Sequence, residues 1–330
     1  MSYAFNQLAY AYGKPECQGQ LKAKPEDFQV EEILGFELSG EGEHLWLWVE
    51  KRGENTDWVA QQLAKWAGVN ERYVGYAGKK DRQAVTRQWF SVHLPGKPNP
   101  DLDLLNLDNV EVLKVQRHQK KCQTGCLAGN RFVLVLRDLQ GNLTQLQTRL
   151  QSIQQQGVPN YFGEQRFGKD MGNLKQAEAL FAQLPAERAA KKRHKLSAAQ
   201  QNQRGLYISA ARSWIFNQVL NQRILAKCWA DEIEGDLLNL ESLPTGPLVG
   251  RGRLGVAGKA LALETEVMAE FTEWLNALEH LGLQQERRAL VLKPQAMTWA
   301  LQDQHLQLAF SLPAGSYATM LVRELVVASE

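Results

Sequence analysis

The 330-residue chain is poor in several features that would narrow its function at once. It has four cysteines, Cys17, Cys122, Cys126 and Cys228. None of them forms a C-x-x-C pair, so the sequence carries neither a secreted disulfide framework nor a zinc-ribbon spacing. Cys122 and Cys126 have only His118 nearby as a further ligand, and no metal is expected. No run of about 18 apolar residues is present, so no membrane partner is expected. The first residues lack the basic and apolar regions of a signal peptide, and reduced thiols point to a cytoplasmic location. Charge of one sign is also lacking: 38 Lys and Arg against 36 Asp and Glu leave a net charge of +2. Bulk charge therefore does not announce a nucleic-acid binder. No internal repeat or low-complexity tract appears.

What is present is the composition of a globular protein, 44% hydrophobic and 22% charged, with length for two domains of ordinary size. Basic residues cluster at 79–82, 117–121 and 191–195, while 231–286 is richer in acids. Together on one face they would make a polyanion footprint; on charge alone, separate solvated faces account for them better. Short mixed runs at 28–33 and 45–50 read as strands. Asn55 offers a helix N-cap, Val59, Leu63, Trp66 and Ala67 follow at helical spacing, and Gly68 closes the helix. Strand character returns at 73–78, 89–94 and 132–136, with 95–109 a surface loop. Helices are expected over 143–156, 173–184, 197–230, 262–281 and 318–327, and short apolar segments over 288–312. Strands, then mostly helices, then strands suggest a sheet domain interrupted by a mainly helical insertion.

Three segments invite a chemical reading. Gly250-Arg-Gly-Arg-Leu-Gly255 matches G-x-G-x-x-G, but a Pro- and Gly-containing turn precedes it and no acid-bearing second strand follows, so a hinge loop is expected rather than a dinucleotide site. Gly75 and Gly78 are too close for a Walker loop, and Asp81 after Lys80 would repel a phosphate. Asp81 itself lies in a loop between two strands, flanked by Lys79, Lys80 and Arg82. Such cations favour the ionised carboxylate and could also hold a phosphodiester; a solvated turn explains the charge pattern alone equally simply. Asn130-Arg131-Phe132 and the stretch 160–168 combine amides, aromatics and arginine, a set suited to unpaired nucleotides, although a core segment with glycine turns would also use it.

Taken together, these segments resemble the TruD family of tRNA pseudouridine synthases. The matching stretches are Lys22-Ala-Lys-Pro-Glu-Asp-Phe28, Tyr76-Ala-Gly-Lys-Lys-Asp-Arg82 running on to Trp89, Gly129-Asn-Arg-Phe132, residues 160–168, Ser209-Ala-Ala-Arg-Ser213 with Phe216-Asn217, and Leu312-Pro-Ala-Gly-Ser-Tyr-Ala-Thr319 leading to residues 322–325. They occur in family order across nearly the whole chain.

The resemblance implies an α+β fold: a pseudouridine-synthase domain with a mixed, largely antiparallel sheet, formed by 1–155 and 291–330. A mainly helical α+β TRUD domain, 156–290, is inserted to give a V. It implies an isomerase acting on tRNA at a D-arm uridine, position 13, without a cofactor or an obligate protein partner. The family's catalytic aspartate falls on Asp81 and its substrate-binding positions on Phe28, Asn130 and Tyr317. Lys22 and Arg323 are candidates for the cation paired with Asp81, and Lys80 for further support. Close relatives carry Phe where Tyr317 stands. Cys122 occupies a position that is usually apolar, and 231–260 matches poorly. The alternative is a non-catalytic tRNA-binding or folding protein on the same scaffold, which would not need Asp81.

Overall fold

A computed structural model of the chain describes residues 3–189 and 196–329. The basic run 191–195 lies outside the described residues. In chain order the elements are β1 (Cys17–Leu21), β2 (Phe28–Leu34), β3 (His44–Arg52), α1 (Thr56–Trp66), β4 (Val74–Tyr76), β5 (Val85–His93), β6 (Val110–His118), β7 (Leu127–Gly141), α2 (Leu143–Gln156), β8 (Val158–Pro159), α3 (Gly172–Ala189), α4 (Ala198–Leu225), β9 (Thr245–Leu248), α5 (Gly258–Ala269), α6 (Thr272–Glu279), β10 (Glu286–Ala289), β11 (Val291–Leu292), β12 (Gln295–Gln302), β13 (His305–Pro313), α7 (Ala318–Leu325) and β14 (Val327–Ser329). The architecture is α+β with a mixed sheet.

The chain divides into two compact units. One comprises Glu16–Gln147, Pro294–Ser316 and Val326–Glu330; the other comprises Met1–Pro15, Thr148–Lys293 and Tyr317–Leu325. The helix-rich unit thus includes both an N-terminal segment and α7, which the expected boundaries 156–290 leave with the sheet.

The strand-rich unit is built on a ten-stranded sheet whose main path runs β12-β13-β7-β2-β5-β3-β6. β2 and β5 are parallel, and their other partners on this path are antiparallel. Alternation along the strands decides the faces. Leu45, Leu47 and Val49 of β3 and Phe90 and Val92 of β5 point to one side, where Val59, Ala60, Leu63 and Ala64 of α1 cover them. Those four helix positions form one apolar stripe. Burying each large aliphatic side chain stabilises the unit by roughly 1.5–3 kcal/mol. Asn55 is the N-cap of α1 by position, although its side chain makes no capping bond.

The helix-rich unit has a separate core in which Ala210, Ala211, Trp214, Ile215, Leu220 and Ile224 of α4 meet Leu174, Ala177 and Phe181 of α3, Phe5 and Leu8 of the N-terminal segment, and Met320 of α7. Ser197 caps α4 by accepting from Gln200 N at 3.3 Å, and Gln200 reaches back to Ser197 N at 2.9 Å, a reciprocal capping box.

Several elements depart from expectation. The expected helix 262–281 is two helices, broken at Glu270 and Phe271. The expected helix 197–230 stops at Leu225, where Lys227 takes a φ of 58°. β6 and β1 were not anticipated. β6 alternates only partly, between exposed and half-buried residues, as an edge strand does. The segment 250–255 is zipped to 283–285 through Arg251 N to Leu283 O (2.7 Å) and Gln285 N to Arg251 O (3.0 Å). The segment is a loop held by a single parallel bridge between Arg251 and Gln284.

Candidate active site

The loop after β4 carries Asp81, and its sequence neighbours turn away from it. Lys79 pairs with Asp57 (2.6 Å), which also accepts from the Tyr76 hydroxyl at 2.5 Å. Lys80 pairs with Glu32. Arg82 Nε donates to Gly53 O at 3.0 Å. The cation on Asp81 comes from elsewhere: Lys22 Nζ lies 2.8 Å from Asp81 Oδ2. Lys22 sits just after β1 with a φ of 60°, a backbone conformation that disfavours an L side chain. Its ammonium also lies over the Phe28 ring, 4.9 Å from the centroid, within cation–π range. Asp81 Oδ1 accepts from Gln83 N at 3.0 Å, an Asx-type turn that fixes the carboxylate plane.

Burial pushes the Asp81 carboxyl up. The Lys22 hydrogen bond and charge and the Gln83 N–H outweigh it and hold the group below its ordinary value. The side chain remains 39% exposed while that of Lys22 is 9% exposed. Asp81 is thus an ionised carboxylate fixed on one side and open on the other.

Beneath the loop, paired residues on neighbouring strands fall in two rows on one face of the sheet. In one row Asn130 of β7 pairs with Glu32 of β2, and Gln88 of β5 pairs with Val49 of β3. In the next, Thr86 of β5 pairs with Lys51 of β3. Glu32 is buried; burial pushes its carboxyl up, while Lys80 and the Trp89 N–H, at 2.8 Å, counter this. Lys51 is fully buried, and its Nζ donates to Glu54 O at 2.8 Å and to Asp81 O at 3.1 Å. Burial lowers its pKa to about 8. Lys80 N and Gln88 Oε1 are joined through the Thr56 hydroxyl, each bond 3.0 Å. The loop main chain is therefore clamped from below by β3, β5 and α1.

Three buried polar atoms on this face, Thr86 Oγ1, Gln88 Nε2 and Asn130 Oδ1, have no hydrogen-bond partner among the described residues. Buried polar atoms are nearly always satisfied in folded proteins. Asn130 Oδ1 is thus a shielded acceptor whose hydrogen bonding is unspent, on the face that also carries Glu32.

A family model described as tRNA pseudouridine synthase D (TruD) matches residues 4–191 and 239–325. The chain belongs to the TruD family. It is 50% identical over 98% of its length to the tRNA pseudouridine synthase D of Hydrogenovibrio crunogenus, covering 96% of that protein. It is 48% identical over 96% of its length to that of Cellvibrio japonicus, covering 91%. Its fold matches the crystal structure of a Methanosarcina mazei protein described as a tRNA pseudouridine synthase D (TruD), with a TM-score of 0.70, 23% identity and coverage of 96% of this chain and 95% of that one.

Against the positions that the TruD resemblance implies, the structure brings Asp81, Lys22 and Phe28 together and sets Asn130 on the same sheet as Phe28. Phe28 is buried, edge-on to Phe132 at 6.4 Å, and Phe132 stacks on Phe310 at 5.4 Å. Tyr317 and Arg323 belong to the helix-rich unit. Tyr317 packs edge-on against Phe162 (6.1 Å), and a Cβ at Gly163 would come within 2.9 Å of its ring. Only glycine allows that approach. Arg323 donates to Leu8 O and to Ala9 O (3.2 Å), pairs with Glu324 (3.4 Å) and lies 3.6 Å from the Tyr10 ring centroid. The stretch 160–168 is largely core: Tyr161 and Phe167 are buried, and Asn217 pairs with both main-chain groups of Phe162 at 2.9 and 3.0 Å.

Glu32, Lys51 and Gln88 were missed in the sequence. The only signal for them was a charged or amide residue at the inward position of a strand whose neighbours are apolar.

Proposed function

We propose that this chain is a tRNA pseudouridine synthase that isomerises a D-arm uridine, position 13, with Asp81 as its catalytic carboxylate. The observation that carries the reading is the Lys22-held, ionised and half-open Asp81, set on a sheet face where Asn130 Oδ1 lacks a partner. The reaction breaks the N1–C1′ bond, turns the uracil and joins C5 to C1′. N1 gains a proton, C5 loses one, and no atom is added. A fixed carboxylate supplies the negative charge that this sequence needs, as nucleophile or base.

Orientation is the second requirement, because the freed uracil must stay beside the sugar. Asn130 Oδ1 can accept from the uracil N3–H. Phe28 supports the Lys22 ammonium and walls the pocket. Tyr317, in the helix-rich unit, is the third substrate-binding position that the family resemblance implies. Extruding the nucleoside from its stack costs a few kcal/mol. Lys80 acts indirectly, by neutralising Glu32 beneath the loop.

The test combines two readouts on one tRNA. Tritium placed at uracil C5 leaves when C5 becomes the glycosidic carbon, and a carbodiimide adduct of pseudouridine stops reverse transcriptase at the modified position. The reading requires tritium release with a stop at position 13. No release from a cognate tRNA contradicts the isomerase, and a stop elsewhere contradicts the D-arm position.

A further inference from the structure

The turn between β6 and β7 carries two thiols that the proposed isomerisation does not use. Cys122 Sγ and Cys126 Sγ are 3.6 Å apart. Cys122 is buried in a cluster with Trp46, Ala77 and Trp89. It is pinned by its own N–H to Ser91 Oγ (2.8 Å), and its thiol can donate to Trp89 O at 3.7 Å. Cys126 is half-buried, and its N–H closes the turn onto Gln123 O at 3.1 Å. Gln123, Thr124 and Gly125 between them are exposed, and nothing lies within 4 Å of a Cβ placed on Gly125, which has a φ of 90°. One sulfur is anchored in the core; the other is half-buried against the same cluster, at the end of a turn whose Gln123, Thr124 and Gly125 are exposed.

We propose that Cys122 and Cys126 form a dithiol modification site, oxidised to an intramolecular disulfide by low-molecular-weight disulfides of the glutathione class. The sulfurs must approach by about 1.5 Å to reach a bond of about 2.05 Å, and the exposed turn supplies that movement. The chemistry is divided between the two thiols. With its one proton turned to Cys126 rather than to Trp89 O, Cys122 lowers the Cys126 thiol to about 7, whereas the same bond, then burial, pushes Cys122 up. Cys126 is therefore the thiolate at neutral pH and the attacking group.

In the first step the Cys126 thiolate attacks one sulfur of the small disulfide; the S–S bond breaks and one thiolate leaves. Forming this mixed disulfide removes the charge on Cys126 that held the Cys122 proton. Cys122 then gives its proton to the departing small thiolate and attacks Cys126 Sγ, releasing the second thiol. The balance is one protein dithiol and one small disulfide giving one protein disulfide and two small thiols.

The test is intact-mass spectrometry and peptide mapping of the full chain after incubation with glutathione disulfide. The wild type should lose the mass of two hydrogens and yield a cross-linked peptide joining Cys122 to Cys126. Cys122→Ser should stop with one glutathione on Cys126. Cys126→Ser should leave Cys122 unmodified. In the wild type, alkylation of Cys126 by iodoacetamide should rise with pH with a midpoint near 7. The proposal is overturned if Cys122 and Cys126 stay reduced, if either pairs instead with Cys17 or Cys228, or if the alkylation midpoint lies at the ordinary thiol value of about 8.5.

Discussion

Lys22 Nζ stands 2.8 Å from Asp81 Oδ2, and this one ion pair joins the end of β1 to the loop after β4. It has a direct consequence for pH. Burial alone would raise the Asp81 carboxyl; Lys22 and Gln83 N hold it below its ordinary value. The carboxylate is therefore fully present above the ordinary range, and activity falls only as pH drops through the lowered value. Lys22→Met should move the acid limb of the kcat/KM profile to higher pH, because burial then acts unopposed by the ammonium. An unmoved limb would show that Lys22 does not set the charge state of Asp81.

The Lys80–Glu32 pair makes a prediction about folding. Both side chains are largely shielded, 12% and 0% exposed. Removing one partner of a buried pair leaves an uncompensated charge and costs about 3–5 kcal/mol. Lys80→Met should destabilise the protein by about that amount, and adding Glu32→Gln should recover most of it. Denaturant unfolding of the single and double variants measures both; an additive double variant would contradict the coupling.

Lys51 gives a second pH signature. Its ammonium deprotonates at about 8 in the folded protein and at 10.5 in the unfolded chain. Between these values the unfolded chain binds more protons, so the Lys51 contribution to stability rises with pH and is flat below about 8. Unfolding free energies of wild type and Lys51→Met across this window should therefore diverge in favour of wild type as pH rises. Parallel curves would contradict the burial of a titrating ammonium.

Asn130 separates binding from folding. Its Oδ1 makes no internal hydrogen bond, so Asn130→Ala should change stability by under about 1 kcal/mol, while losing a ligand hydrogen bond should lower kcat/KM about 10- to 100-fold. A large loss of stability with unchanged kinetics would reverse the assignment.

Much of this organisation was legible in the sequence, though unevenly. The α1 stripe and α2 follow from periodicity, because one face of each is buried, and Phe90, Val92 and Leu94 follow from alternation, although β5 is buried on both faces. The loop bearing Asp81 was legible from its glycines and charges. Its electrostatics were legible only in part. Lys79, Lys80 and Arg82 suggested cations acting on the carboxylate, yet Asp57, Glu32 and Gly53 O engage them; the partner of Asp81 is Lys22, one of the two cations that the family resemblance offered. Adjacent residues in a turn point in different directions, and strand pairing decides which distant side chain arrives. The cluster 117–121 shows the same limit: Arg117 bonds Asn99 Oδ1 (2.7 Å) and Lys97 O (2.8 Å), and Lys121 bonds Arg72 O (2.7 Å). Those charges order loops within the unit. The break between α5 and α6 was hidden because both halves carry helix-forming residues.

The isomerisation is proposed to depend on the Asp81 carboxylate. Single-turnover release of tritium from C5-labelled tRNA, by wild type and by a folded Asp81→Asn variant, measures that dependence. Full release is expected from the wild type and a rate at least about 10⁴-fold slower from Asp81→Asn, with tRNA binding retained. Release by Asp81→Asn at a rate close to that of the wild type would contradict it.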